Sequence, residues 1–250
     1  MANDATDADG EIGSRLIGHL IELRSRLLRA IGGLLLLLLA LMPFANRLYG
    51  WLAQPLLDKL PAGGRLIATQ VASPFFAPLK LAFCVALVLA MPWLLYQLWA
   101  FVAPGLYKRE KRLALPLLAS ALALFYAGCA FAYFIVLPAV FTFLNKVTPP
   151  GVAMMTDISA YLDFVLVIFL AFGISFELPI ALVILVLLGW VTPAQLREWR
   201  GYAIVGIFVV AAVLTPPDVV SQLLLALPMI ALYELGIIAS RMIAPRPSAG

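Results

Sequence analysis

Residues 161–188 read Tyr-Leu-Asp-Phe-Val-Leu-Val-Ile-Phe-Leu-Ala-Phe-Gly-Ile-Ser-Phe-Glu-Leu-Pro-Ile-Ala-Leu-Val-Ile-Leu-Val-Leu-Leu, and of these 28 residues only Asp163 and Glu177 carry charge. A helix of this length reaches about 42 Å, more than the roughly 30 Å hydrocarbon core of a bilayer. Inside that core no water bonds to backbone N–H and C=O groups, so such a stretch must be a helix. Pro179 then kinks the span without ending it.

The same pattern recurs on both sides. Further apolar spans run from about Ala30 to Leu48, and from Leu81 to Val102 with Pro92 inside. Others run from Leu113 to Leu137 with Pro116 near the start, from Tyr202 to Leu214, and from Val219 to between Glu234 and Arg241. Six spans predict an all-α polytopic membrane protein. Composition agrees: the chain is 64% hydrophobic and 12% charged, against roughly 25% charged in soluble domains. The short alternating segments of a β-barrel are absent.

The acidic, small residues Met1 to Glu11 do not resemble the basic n-region of a cleavable signal peptide. The expected organisation is a disordered acidic N-terminus over 1–12, a single six-helix membrane domain over 13–241, and a short tail over 242–250. Cys84 and Cys129 fall within apolar spans and read as small hydrophobes. One histidine and scattered carboxylates offer no metal-ligand spacing. No glycine-rich phosphate loop is present. The expectation is therefore no metal, no cofactor and no enzyme chemistry.

Lys and Arg counted by side set the orientation. With the N-terminus inside, 12 of the 17 fall on the cytoplasmic side, among them Arg15, Arg24, Arg26, Arg29, Lys108 to Arg112, Arg197 and Arg200. Five fall outside: Arg47, Lys59, Arg65, Lys80 and Lys146. This bias predicts both termini in the cytoplasm. It also accounts for the net charge of +4 without a nucleic-acid partner.

The outer segment Val71-Ala-Ser-Pro-Phe-Phe-Ala-Pro78 is apolar but too short to span, and is expected to lie at the interface. The fifth span has 13 residues, about 20 Å of helix. It and the sixth, if that ends at Glu234, would thin the bilayer or need a partner's cover. Alternatively, flanking Trp199 and Tyr202 extend the fifth helix into the interface.

A few charges stand out. Arg15, His19, Glu22, Arg26 and Arg29 recur at helical spacing and share one face, opposite Leu16, Leu20, Leu23 and Leu27. This face suits a surface helix on lipid phosphates. Arg24 falls on the apolar side, where it either snorkels or meets a buried partner. Glu110 is the one acid among four bases in Lys108-Arg-Glu-Lys-Arg112. It forms either a solvated ion pair or a receiver for a cationic ligand. Glu177 lies at mid-membrane depth, where an acid costs a few kcal/mol and faces protein or water. A proton relay, a polar groove and a neutral acid bonded to another helix all remain open. Asp218 and Gln222, after Pro216-Pro217, can cap the last helix or contact another subunit.

Five ordered motifs resemble one family. They are His19-Leu-Ile-Glu-Leu-Arg24, Ala72-Ser-Pro-Phe-Phe-Ala-Pro-Leu-Lys80, Tyr96-Gln-Leu-Trp-Ala-Phe-Val-Ala-Pro-Gly-Leu-Tyr107, Phe172-Gly-Ile-Ser-Phe-Glu-Leu-Pro179 and Leu214-Thr-Pro-Pro-Asp218. Together they resemble the TatC family of the twin-arginine protein translocase, over residues 13 to 241. The resemblance implies a multi-pass protein of the bacterial plasma (inner) membrane. It implies recognition of signal peptides with two consecutive arginines at the cytoplasmic face. It further implies a multimeric complex with single-span TatA- and TatB-type proteins in the lipid bilayer, moving folded proteins with the proton gradient. By position, it assigns Glu22, Glu110, Arg24 and Phe101 to signal-peptide binding, Glu177 to the intramembrane polar site, and Asp218 and Gln222 to partner contact.

Two other classes are weighed. A proton-coupled secondary transporter of a small solute, centred on Glu177, would show paired broken helices and a polar midplane cluster. An intramembrane enzyme would need a second catalytic group at the depth of Glu177, and Asp163 is about four turns away.

Overall fold

The computed structural model describes residues 3–57, 67–102, 114–147, 157–214 and 219–243. Helix α1 covers Asn3–Leu41, and a tight turn at Met42–Phe44 leads into α2, Ala45–Leu57. Helix α3 covers Ser73–Val102. Helix α4, Ala114–Phe131, passes through a widened turn at Ala132–Val136 into α5, Leu137–Val147. Helices α6, Ile158–Ser175, and α7, Leu178–Leu187, form one broken span. The short α8, Pro193–Glu198, leads into α9, Arg200–Leu214, and α10, Val219–Ile243. Among the described residues, five stretches are long and apolar enough to cross a membrane, and Arg200–Leu214 is a sixth, shorter apolar helix.

Proline chemistry explains the irregularities. Pro138 has no N–H, and its ring crowds the carbonyl one turn earlier. The ladder relaxes just before it, with the Leu137 N–H reaching back to the Ala132 carbonyl. Pro179 likewise divides α6 from α7. Pro92 lies within α3 without ending it.

Helix α1 begins at Asn3, within the acidic N-terminal segment. That helix then runs unbroken past Arg29, so the amphipathic stretch is continuous with the first span and is not a separate surface helix. The segment from Ser73 to Pro78, expected at the interface, forms the opening turns of α3. The proline at its start suits a helix's first turn. The sixth span is not short: α10 has 25 residues, about 38 Å. Only the fifth stays short, at 15 residues.

The main core joins α3, α5, α6, α7, α9 and α10 through residues such as Leu81, Val140, Leu162, Phe172, Ile207 and Ile237. A second cluster, with Leu95, Trp99, Leu117, Ile180 and Val183, ties the end of α3 to α4 and α7. Large apolar side chains also face outward, including Leu36, Phe134, Val205 and Met242. This is the exterior that a lipid solvent requires. Two glycines permit close crossings. A Cβ on Gly128 of α4 would stand 2.6 Å from the Phe172 carbonyl oxygen of α6. One on Gly236 of α10 would stand 2.7 Å from Leu182 Cδ1 and 3.0 Å from Pro179 Cα in α7.

At one end of the bundle, polar groups bind the start of α3 to the start of α6. Asp157 caps α6 by accepting from the Ser159 and Ala160 N–H groups. Its other oxygen accepts from the Thr69 N–H at 2.9 Å and the Thr69 hydroxyl at 2.5 Å. Ser159 Oγ lies 2.9 Å from Ser73 Oγ. Lys80 and Asp163 pair at 2.7 Å. These groups border an open cavity of about 580 Å³.

Candidate functional site

At the other end of α3, α1 lies against its last turns. His19 stacks on Phe101, with ring centroids 4.3 Å apart. About two turns away along α3, Trp93 Nε1 donates to the Arg29 carbonyl of α1 at 3.0 Å. Between these contacts Leu23, Arg26 and Leu27 of α1 face Gln97, Leu98 and Phe101 of α3 around a pocket of about 200 Å³. Its wall is apolar except for Arg26 and Gln97.

Glu22 is linked to this pocket through Arg26, which lines it. Arg26, one turn along, donates from Nε at 2.9 Å and from Nη2 at 2.6 Å, both to Glu22 Oε1. The carboxylate thus already holds a guanidinium through two N–H groups on one oxygen. The side chain of Gln97 is 4% exposed, and among the described residues its Oε1 has no hydrogen-bond donor. A buried acceptor left without a donor costs roughly 1–3 kcal/mol, so native structures seldom keep one without cause.

The fold thus packs the helix that carries Glu22 against the helix that carries Phe101, through the His19–Phe101 stack. Arg24 projects elsewhere and is exposed, with no ion pair among the described residues. The buried partner considered for it is not found there. Glu110 and Asp218 lie outside the described residues. Gln222 donates through Nε2 to the Phe208 carbonyl at 3.2 Å, which ties α10 to α9.

Glu177 stands at the break between α6 and α7, at the N-cap of α7, with no side-chain cap bond. Its Oε1 is buried and has no hydrogen-bond partner among the described residues. That finding does not support the neutral acid bonded to another helix. Asp163 is held by Lys80 at the far end, so it forms no pair with Glu177. No group of three or more metal-binding side chains occurs among the described residues.

Sequence reasoning missed several groups. Gln97 is a polar residue inside an apolar span, a signal that marks functional or buried-network positions. Arg200 pairs with Glu234 across α9 and α10, and the Tyr233 hydroxyl donates to the Leu196 carbonyl at 2.7 Å. These partners are 34 and 37 residues apart in the chain, and no local pattern announces them.

Residues 18–228 match the family model described as Sec-independent protein translocase protein (TatC). The chain belongs to the TatC family. It is 56% identical over 229 residues to the Sec-independent protein translocase protein TatC of Azotobacter chroococcum, covering 92% of this chain and 90% of that relative. Against TatC of Escherichia coli K12 the identity is 54% over 226 residues, covering 90% and 88%. A crystal structure of a twin-arginine translocase receptor TatC superposes with a TM-score of 0.80 at 38% identity, over 90% of this chain and 98% of that one. A second, in the detergent DDM, gives a TM-score of 0.81 at 39% identity, over 89% and 99%. The expected fold class and family are thus correct. The protein is a multi-pass membrane protein of a TatC-type translocase system and not the small-solute transporter weighed as the alternative.

Proposed function

We propose that this chain is the receptor subunit that binds twin-arginine signal peptides at the cytoplasmic face of the bacterial inner membrane, with both of its termini on that side. One observation carries the reading: Glu22 already accepts two N–H groups from the guanidinium of Arg26, which lines the pocket at Phe101. A planar guanidinium makes such a pattern and an ammonium cannot reproduce it. In this reading Glu22 takes one arginine of the ligand and Glu110 the other. Phe101 closes the apolar side, and Arg24 orients the carboxylates' surroundings. Single-span TatA- and TatB-type partners contact the hairpin at Asp218 and Gln222. Folded cargo then crosses with energy from the proton gradient, in which Glu177 provides the intramembrane polar group.

The test is a pull-down of the detergent-solubilised protein with peptides that differ only in Arg-Arg or Lys-Lys. Preferential capture by Arg-Arg is expected, and equal capture would sink the guanidinium reading. Glu177→Gln should leave that capture intact while transport of a folded reporter in cells falls severalfold. Undiminished transport would remove Glu177 from the mechanism.

A further inference from the structure

We infer that Arg26 is an internal occupant of the Glu22 site, displaced onto Gln97 when a ligand guanidinium arrives. This rests on the receptor reading above and deepens it. Two independent observations meet in one pocket. Glu22 Oε1 is occupied by both Nε and Nη2 of Arg26. Gln97 Oε1, which borders the same pocket as Arg26, is buried and lacks a donor among the described residues.

An entering guanidinium can pair with Glu22 only if Arg26 gives way. The side chains of Arg26 and Glu22 are 22% and 36% exposed, so a displaced guanidinium would leave N–H groups partly shielded from water. Such groups need a new acceptor. Gln97 supplies one without losing an existing bond at that oxygen. The exchange then ends with both guanidinium groups paired and the orphan acceptor satisfied. The resting state keeps Glu22 neutralised and closed to casual cations.

An internal competitor lowers the apparent affinity of every ligand by the fraction of sites it leaves open. It cannot alter the ratio between two ligands. Arg26 therefore sets a threshold: a weak ammonium ligand falls below useful binding, while a stronger guanidinium ligand stays above it.

The experiment titrates fluorescent Arg-Arg and Lys-Lys peptides against the full-length protein in detergent. The variants are Arg26→Gln, Arg29→Gln, Gln97→Leu, and Arg26→Gln combined with either Glu22→Gln or Gln97→Leu. Arg26→Gln should tighten both peptides by the same two- to fivefold, and the gain should vanish with Glu22→Gln. Arg29→Gln removes the same charge one turn away, so it measures general attraction, which fades with salt. The Arg26 gain should persist at 0.5 M salt. Gln97→Leu should weaken both peptides severalfold when Arg26 is present and have no effect when it is absent.

Unchanged or weakened binding in Arg26→Gln would overturn the inference, as would a Gln97→Leu effect that survives loss of Arg26. A thermal melt of each variant separates loss of binding from loss of fold. If Arg26→Gln does not fold, Arg26→Lys must give a smaller gain in the same direction, and no gain refutes the proposal. Failure of the receptor reading has a different signature, namely no preference for Arg-Arg over Lys-Lys in the unmodified protein.

Discussion

The two ends of α3 carry polar clusters built on opposite plans. At its start, Ser73 and Lys80 engage Ser159 and Asp163, and neighbouring Thr69 completes the bonding of Asp157. At its end, Gln97 presents a buried oxygen with no donor among the described residues, in a pocket it shares with Arg26, whose guanidinium holds the Glu22 carboxylate. A cluster whose groups satisfy each other joins elements. A cluster that leaves an acceptor open has capacity for something that arrives. The contrast separates polar residues that hold this fold from polar residues that it offers to a ligand.

Substitutions can break that contrast, and the largest effect is expected at the open end. Glu22→Ala removes a charged acceptor from the ligand. Hydrogen bonds to charged groups are worth roughly 1.5–3 kcal/mol, so Arg-Arg peptide affinity should fall about ten- to hundredfold. The melting temperature should hardly move, since an i,i+4 pair contributes only about 0.3–0.5 kcal/mol. A comparable drop in melting temperature would mean that Glu22 belongs to the structural class.

Asp157→Ala should do the reverse, lowering the melting temperature by a few degrees while peptide binding stays unchanged. The effect is pH-dependent with a definite sign. The Thr69 hydroxyl first, and then backbone N–H groups of Thr69, Ala160 and Ser159, hold the Asp157 carboxyl down at about 2. The unfolded chain takes up that proton near the ordinary value of 3.8. The stabilisation is therefore complete above about pH 4 and lost as the pH falls towards 2. Melting curves of the unmodified protein and Asp157→Asn should converge over that interval, and a gap that persists at pH 2 would contradict the assignment.

The smallest effect is expected at Lys80→Met. Its side chain and that of Asp163 are 46% and 52% exposed, and exposed pairs contribute about 0–1 kcal/mol. A loss of stability larger than that of Asp157→Ala would reverse the ranking of the two contacts.

Much of this arrangement is legible in the chain. The span count and the proline breaks follow from apolar run lengths and from the chemistry of the missing N–H. The resemblance assigns both Glu22 and Phe101 to signal-peptide binding, and the helices that carry them pack together. What local pattern could not supply was continuity and pairing. The charged run before Ala30 looks like a separate surface helix, yet nothing between Arg29 and Ala30 breaks a helix, so one rod results. Glu234 looks like the end of a span because a lone carboxylate is costly there, but Arg200 from the neighbouring helix offsets it and α10 continues to Ile243. Gln97 acquires meaning only when α1 closes over it.

Gly236 suggests how the position of a charge can be governed from a distance. Its hydrogen stands where any larger substituent would press on the Pro179 backbone and Leu182. Pro179 lies two residues beyond Glu177, at the break that holds the acid. The missing side chain on α10 thus acts as a shim of zero thickness. Adding even one methyl group there would press on Leu182 and on the Pro179 backbone, two residues from the buried acid.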